Sequence, residues 1–214
     1  MTVRLVAVFL GWTALATGLV HADNTTQQAP DQFRVKFETS AGDFVIEVTR
    51  KWAPIGADHF HRLIEEEFYK DARFFRVVPG FVVQFGINGD PQVQAKWREK
   101  TLSDEPVVVS NMRGFVTYAK SRAPNSRTTQ LFISLRDNQR LDALGFAPFG
   151  EVIEGMDVVD RITAKYGEQA QQPRIQSQGN VYLKDRFPNM DYIKSAVIMK
   201  DTADGTVDKA EPVE

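Results

Sequence analysis

The sequence predicts a mainly β protein in which short antiparallel strands close into a barrel, with two or three helices packed against it. Two observations support this fold class. Short apolar runs separated by turn residues recur from residue 33 to residue 199, and several alternate polar and apolar residues with a period of two. A closed barrel is favoured because it leaves no strand edge exposed to solvent.

The first two strands form a predicted hairpin. Residues 33–38 alternate apolar and charged side chains, and residues 44–48 alternate again after the Gly-containing turn at 40–43. Two runs of period two joined by such a turn are typical of a hairpin with one face in a core.

Three helices are predicted from apolar residues at helical spacing. The first begins at Pro54, which suits a first helical turn, and extends to about Phe68. The second covers residues 156–165, and a short third helix covers residues 181–187 before Pro188. The first helix is expected to cover an end of the sheet.

Further strands are predicted where Val, Phe and Ile are concentrated between turn residues. They lie at residues 74–86, 107–109, 115–119, 131–135, 149–153 and 192–199. We find no internal repeat and no linker, so the chain is expected to form one domain.

The two ends of the chain differ from this pattern. Residues 1–22 combine Arg4, an apolar run and a small-residue cleavage pattern at Val20-x-Ala22, which together predict a secretory signal peptide. An uncleaved membrane anchor is the alternative, although the apolar run is short for a membrane span. Residues 23–32 are a predicted flexible lead-in, and residues 201–214 are a predicted acidic, disordered tail. The mature protein is expected to be exported and not stably associated with a membrane.

Composition excludes several kinds of function. The formal net charge is −2, so nothing indicates a nucleic-acid partner. The chain has no cysteine, and therefore no disulfides and no thiol nucleophile. His59 and His61 resemble metal ligands, but residues two apart on a helix do not share a face. We therefore expect packed or solvated histidines, with no metal and no cofactor.

One apolar stretch, FFRVVPGFVVQFG at residues 74–86, contains an unexplained charge. Arg76 lies between Phe75 and Val77, and a buried strand rarely carries an unpaired guanidinium. We expect Arg76 to face a groove and to contact the backbone of another polypeptide.

The same stretch resembles the FHRVIPGFMIQGG motif of the cyclophilins, which are peptidyl-prolyl cis/trans isomerases. NSRTTQLFISL and RLDALGFAPFGEVIEGMDVVDRI resemble two further motifs of that family, in the same order and with similar spacing. The resemblance covers about residues 33–165, and we assign the domain to residues 33–200. It implies an eight-stranded barrel closed by two helices, a C-terminal extension and an active groove on the outside of the barrel.

The resemblance also implies roles for individual residues. Arg76 matches the catalytic arginine, and Phe81 and Gln84 match residues of the same motif. The expected substrate-binding residues are Val82, Gln130, Phe132 and Leu141, with Lys120, Ser121 and Phe146 as further contacts. The implied partners are proline-containing polypeptides, and the protein is expected to be a monomer.

These residue types suit rotation about a prolyl amide. The barrier is about 18–20 kcal/mol because rotation removes amide resonance. No bond breaks, so neither a nucleophile nor a metal is required. A fixed donor aimed at the twisted amide binds the transition state better than the planar forms, and the arginine fork stays charged in one plane.

Two alternatives remain open. A proline-peptide binding or chaperone module would keep the groove but turn over weakly. A barrel enclosing a small apolar ligand is disfavoured by Phe33, Phe37, Phe44 and Phe132, which we expect to fill the interior. Arg140 stands where many cyclophilins have a tryptophan that supports cyclosporin binding, so weak cyclosporin affinity is expected.

Overall fold

A computed structural model describes residues 28–200. The predicted signal peptide, the tail at 201–214 and most of the lead-in lie outside the described residues. The strands are β1 (Gln32–Thr39), β2 (Asp43–Thr49), β3 (Arg76–Val78), β4 (Val82–Phe85), β5 (Phe115–Tyr118), β6 (Leu131–Ser134), β7 (Pro148–Glu154) and β8 (Ile193–Ile198). The helices are α1 (Pro54–Glu65), α2 (Pro91–Arg98), α3 (Met156–Arg161) and α4 (Gln172–Arg186), with 3-10 turns at Arg50–Trp52 and Gln139–Leu144.

All eight strands belong to one antiparallel sheet in the order β3-β4-β6-β5-β7-β2-β1-β8. The predicted hairpin is confirmed, because Phe33 pairs with Val48 and Phe37 pairs with Phe44. The expected closure is not confirmed, since the sheet is open between its edge strands β3 and β8. Near this gap the structure has one isolated bridge, between Arg73 and Tyr192. The physical reason lies at the outer edge of β3, where the Val77 backbone N–H donates to the Gly167 carbonyl at 3.1 Å.

Most predicted strands are confirmed with small shifts of their ends, but residues 107–109 are not a strand. Val108 is 56% exposed, so β propensity there was not supported by burial. The predicted strand at 74–86 is divided into β3 and β4 by the turn at Pro79–Gly80, and Gly80 has φ +66°. The second predicted helix ends at Arg161 rather than residue 165.

Two helices differ from the predictions: α2 was not predicted, and α4 is longer than predicted. Helix α2 was not predicted; it begins after Asp90, whose side chain accepts a hydrogen bond from the Gln92 backbone N–H. Helix α4 was predicted only at residues 181–187, but it starts at Gln172 and is kinked at Gly179, where φ is +55°. A Cβ on Gly179 would lie 2.0 Å from the Gly89 carbonyl oxygen, so the close approach of these segments requires glycine.

The main core fills the concave side of the sheet and is covered by α1. Phe37 stacks on Phe44 with ring centroids 5.0 Å apart, and Phe60 of α1 lies 5.1 Å from Phe149. Phe33, Phe37 and Phe44 belong to this core as expected. Phe132 does not, because it belongs to a separate apolar cluster with Val82 and Leu141.

A second core joins the C-terminal extension to the sheet. Its buried members are Phe75, Ile87, Ala170, Ile175, Tyr182, Leu183, Phe187 and Met190, with Tyr166 packed against them. Phe75 immediately precedes Arg76, whereas Val77 on the other side belongs to the main core. The extension is therefore packed directly behind the strand that carries Arg76.

His59 and His61 are both buried on α1. The ring of His59 meets Trp97 edge-on at 5.3 Å, and that of His61 meets Phe33 at 5.0 Å. Between residues 28 and 200 there is no group of three or more His, Asp or Glu side chains suited to a metal ion. In the same range, no helix has the length and apolar character needed to span a bilayer.

Candidate active site

A cavity of about 440 Å³ opens on the face of β3, β4 and β6 that is turned away from the main core. Its lining residues are Arg76, Phe81, Val82, Gln84, Ala119, Lys120, Phe132, Arg140, Leu141, Leu144 and Phe146. The mixture is an apolar slot with cations and one amide at its rim, which is typical of a ligand site.

The β3–β4 hairpin places Arg76 and Gln84 together. These two residues are direct partners across the antiparallel pair, so their side chains lie on the same face. Val77, the next residue of β3, points to the opposite face and belongs to the main core. The alternation of β3 thus directs the Arg76 side chain to the cavity rather than into the core.

A chain of hydrogen bonds fixes the Arg76 guanidinium. Its Nη1 donates to Gln84 Oε1 at 3.3 Å, and Gln84 Nε2 donates to Gln130 Oε1 at 2.9 Å. Its Nε donates to Glu168 Oε1 at 2.6 Å, forming an ion pair. The cavity remains open beside this pair, since Glu168 is not among its lining residues.

The apolar slot is formed by Val82, Phe132 and Leu141, each less than a tenth exposed. Phe81 and Phe146 pack against them, and the Phe146 ring meets the Phe132 ring edge-on at 5.7 Å. Pairs of aromatic rings in this arrangement hold their relative positions because edge and face carry opposite partial charge. The slot is therefore preformed.

The 3-10 turn Gln139–Leu144 brings Leu141 to the slot. Asp142 anchors this turn by accepting hydrogen bonds from Asn111 and from the Ser110 hydroxyl. Burial raises the pKa of the Asp142 carboxyl, but these hydrogen bonds outweigh it and hold the pKa below its ordinary value. An ionised Asp142 therefore fixes the turn at neutral pH.

Cations stand on both sides of the slot. The guanidinium carbons of Arg76 and Arg140 lie 5.6 Å and 4.8 Å from the Phe81 ring centroid. On the opposite side, Lys120 Nζ lies 5.7 Å from the Phe146 ring. Such distances are favourable for cation–π attraction.

The structure brings eight predicted site residues to the cavity, namely Arg76, Phe81, Val82, Gln84, Lys120, Phe132, Leu141 and Phe146. Gln130 and Ser121 line a neighbouring polar groove of about 520 Å³ instead. That groove shares Ala119 and Lys120 with the cavity, and Gln172 and Gln176 of α4 form part of its wall. Sequence reasoning missed Ala119, Leu144, Glu168 and the two glutamines, and no local motif marks them.

The arrangement suits a noncovalent reaction. No serine, histidine, aspartate or glutamate lines the cavity, so its walls contain no nucleophile paired with a base. It combines a fixed cationic donor with an apolar slot large enough for a small ring. A groove of this composition can hold a small apolar ring beside a cationic donor.

Comparison with known proteins identifies the family. The family model for cyclophilin type peptidyl-prolyl cis-trans isomerases matches residues 34–181. A peptidyl-prolyl cis-trans isomerase of Acinetobacter baylyi is 35% identical over 149 residues, covering 65% of this chain and 79% of the relative. Peptidyl-prolyl cis-trans isomerase B of Escherichia coli is 35% identical over 136 residues, covering 60% and 82%.

Solved structures show the same fold. A cyclophilin of Cryptosporidium parvum aligns with a TM-score of 0.59 at 22% identity, covering 79% of this chain and 99% of that chain. A cyclophilin from Hirschia baltica aligns with a TM-score of 0.60 at 19% identity, covering 83% and 77%. The chain belongs to the cyclophilin-type peptidyl-prolyl cis-trans isomerases and is an enzyme of that family.

Proposed function

We propose that this enzyme isomerises X–Pro bonds in exported polypeptides, and that Arg76 provides the donor that stabilises the twisted amide. The observation that carries the proposal is one cavity in which the Arg76 guanidinium stands beside the slot of Val82, Phe132 and Leu141. The slot would hold the proline ring while the residue before it rotates. A related cyclophilin of Cryptosporidium parvum has been crystallised in the presence of the dipeptide Ala-Pro, which supports a proline ligand for this groove.

The roles of the remaining predicted residues follow from their positions. Gln84 holds Nη1 of Arg76 and is itself held by Gln130, so both orient the guanidinium. Phe81 and Phe146 close the ends of the slot, while Lys120 and Ser121 offer polar contacts to the peptide on the side of the neighbouring groove.

The required energy is modest. A hundred-thousand-fold acceleration corresponds to about 7 kcal/mol of transition-state stabilisation. Electrostatic donors in sites sheltered from water contribute about 3–4 kcal/mol each when measured by removal. One charged donor therefore supplies about half of the stabilisation that an acceleration of this size requires.

The test is an NMR exchange assay on a short proline peptide. Arg76→Ala should lower the catalysed exchange rate at least about hundred-fold, the scale seen when one preorganised donor is removed. Arg161→Ala is the matched control, because Arg161 is exposed, has Asp157 of its own helix as its one ion-pair partner among residues 28–200, and does not line the cavity. Circular dichroism would establish that both variants remain folded.

Three outcomes are distinguishable. Loss in Arg76→Ala with full activity in Arg161→Ala supports the proposed mechanism. Equal activity in Arg76→Ala and the unsubstituted protein would show that the catalytic donor lies elsewhere. Peptide binding without accelerated exchange in the unsubstituted protein would favour the proline-peptide binding module.

The proposal includes export, cleavage after residue 22 and a monomeric domain at residues 33–200, preceded by a flexible lead-in and followed by a disordered tail at 201–214. Its support is the N-terminal pattern of Arg4, an apolar run and Val20-x-Ala22. Mass spectrometry of the protein expressed in bacteria should find the periplasmic form beginning at Asp23. A full-length, membrane-bound form would instead support the anchor.

A further inference from the structure

The C-terminal extension places a carboxylate on the candidate catalytic arginine. Glu168 is separated from Arg76 by 92 residues in sequence, yet its Oε1 accepts a hydrogen bond from Arg76 Nε at 2.6 Å. Charge-assisted hydrogen bonds of this length are among the stronger polar contacts in proteins. We propose that Glu168 is a positioning residue, which sets the plane of the Arg76 guanidinium for catalysis.

The geometry distinguishes positioning from inhibition. Glu168 does not line the cavity, so its carboxylate holds the guanidinium from outside the slot and does not fill it. Two nitrogens of the Arg76 guanidinium have acceptors, because Nε donates to Glu168 and Nη1 donates to Gln84. Nη2 has no hydrogen-bond partner among residues 28–200 and stays available to a ligand.

The turn that carries Glu168 is fixed from two directions. The Gly167 carbonyl accepts a hydrogen bond from the Val77 backbone N–H, one residue beyond Arg76. Tyr166 meets Phe187 of the second core edge-on at 5.2 Å, and its hydroxyl donates to Asn189 Oδ1 at 3.3 Å. The extension therefore presents Glu168 at a defined place relative to β3, which gives residues 166–189 a role in the active site.

The size of the rate loss expected on removing Glu168 follows from the solvent exposure of the Arg76–Glu168 ion pair. The Glu168 side chain is 61% exposed and that of Arg76 is 25% exposed, so solvent screens the pair. Exposed ion pairs contribute up to about 1 kcal/mol, which corresponds to about a five-fold change in rate. The effect should appear in kcat rather than KM, because orientation of the donor matters most in the transition state.

The test compares Glu168→Ala, Glu168→Gln and the control Gln169→Ala in the full chain. Gln169 is exposed in the same turn, and its side chain is not among the hydrogen-bond acceptors of Arg76. Glu168→Ala should lower kcat about five-fold with unchanged KM, Glu168→Gln should fall between, and Gln169→Ala should match the unsubstituted protein. The Arg76 Nε–H proton should exchange with water faster in Glu168→Ala, as measured by NMR.

This inference rests on the proposed role of Arg76, and the two can fail separately. Full activity in Arg76→Ala would refute the proposed function itself. An inactive Arg76→Ala together with unchanged or raised kcat in Glu168→Ala would refute positioning alone. An equal loss in Gln169→Ala would assign the effect to the turn and would also overturn the role of the carboxylate.

A second observation concerns charge around the cavity. Arg76, Lys120 and Arg140 line it, and Arg98 and Arg122 line the recesses that share Lys120 with it. No aspartate or glutamate is among the lining residues of these three spaces. The lining of these spaces is therefore cationic, although the whole chain has a net charge of −2.

Two of these cations are not neutralised by the protein. Arg140 and Arg122 form no ion pair with residues 28–200, and Lys120 has one carboxylate near it, that of Asp104 at 3.8 Å. We infer that the preferred substrates carry an acidic residue within two positions of the proline, which the cationic rim attracts. This inference deepens the proposed function and does not depend on Glu168.

The test uses matched peptides with Glu, Gln or Lys directly before proline or two positions away. At low salt kcat/KM should fall from Glu to Gln to Lys by about three- to ten-fold overall, and the differences should shrink in 0.5 M salt because exposed charges are screened. Arg122→Gln should reduce the preference for Glu, whereas Arg161→Gln should not. Activity on the Gln peptide with no order among the three would refute acidic selectivity alone, and absence of activity on all three would contradict the proposed function.

Discussion

Replacing His59 should remove a defined part of the acid sensitivity of this protein. His59 is 4% exposed, and its Nε2 has no hydrogen-bond partner among the described residues. Burial, reinforced by the positive charge of Arg62, lowers the pKa of His59 to about 4. The imidazole is therefore neutral in the folded protein at pH values where it would be charged in the unfolded chain.

The sign of the pH dependence follows from linkage. Below the unfolded pKa of 6.5 the unfolded chain binds a proton that folded His59 does not, so stability falls as the pH falls from 6.5 toward 4. Between pH 7.5 and 5.0 the loss attributable to His59 is about 2 kcal/mol, at 1.36 kcal/mol per pKa unit. Carboxylates contribute little to this window, because their ordinary pKa values lie near or below 4.3.

Urea unfolding at pH 7.5, 6.0 and 5.0 would measure the effect in the unsubstituted protein and in His59→Gln. The variant should lose about 2 kcal/mol less free energy of unfolding over this range, whatever its absolute stability. NMR titration of the His59 ring should show a midpoint near pH 4. Identical pH dependence in the two proteins, or a midpoint near 6.5, would refute the reasoning.

Two further predictions concern Arg140 and Glu105. Cyclosporin should bind the unsubstituted protein weakly in a calorimetric titration. Arg140→Trp should tighten binding about ten-fold, because it places an aromatic ring beside Phe81. Tight binding of cyclosporin by the unsubstituted protein would contradict the role given to Arg140. Glu105→Ala should destabilise folding by about 3–5 kcal/mol in urea, because it leaves Arg127 buried without its carboxylate and removes the acceptor of the Gly56 N–H at the start of α1. A loss below about 1 kcal/mol, as expected for the exposed pair of Arg161, would show that Arg127 finds another partner.

The site was predictable where its residues belong to local patterns. The β3–β4 hairpin follows from Pro79–Gly80 and two apolar runs, and its register places Arg76 opposite Gln84 without further information. The resemblance assigned Phe132 to the groove, and Phe132 lines the cavity, but its apolar character alone suggested the interior, because burial in a slot and burial in a core use the same residue type.

Contacts between distant segments could not be predicted. Nothing near Glu168 in the sequence indicates that it meets Arg76, because the pairing depends on how the second core folds the extension against β3. Helix α4 was recognised only in its last turns, since Gly179 interrupts it and residues 171–180 are mostly polar. The opposite error occurred at Val108. Its residue type favoured a strand, but the structure has no strand at residues 107–109.

The placement of Phe75 and Val77 has a consequence for how this chain can change. Phe75 and Val77, on either side of Arg76, are buried in two different cores, so the backbone of Arg76 lies at the boundary between them. A sliding movement of either core relative to the other would shear the three-residue strand on which it stands. The C-terminal extension therefore cannot be removed without exposing Phe75. Any segment that replaced it would have to bury Phe75 again before Arg76 returned to its position at the cavity.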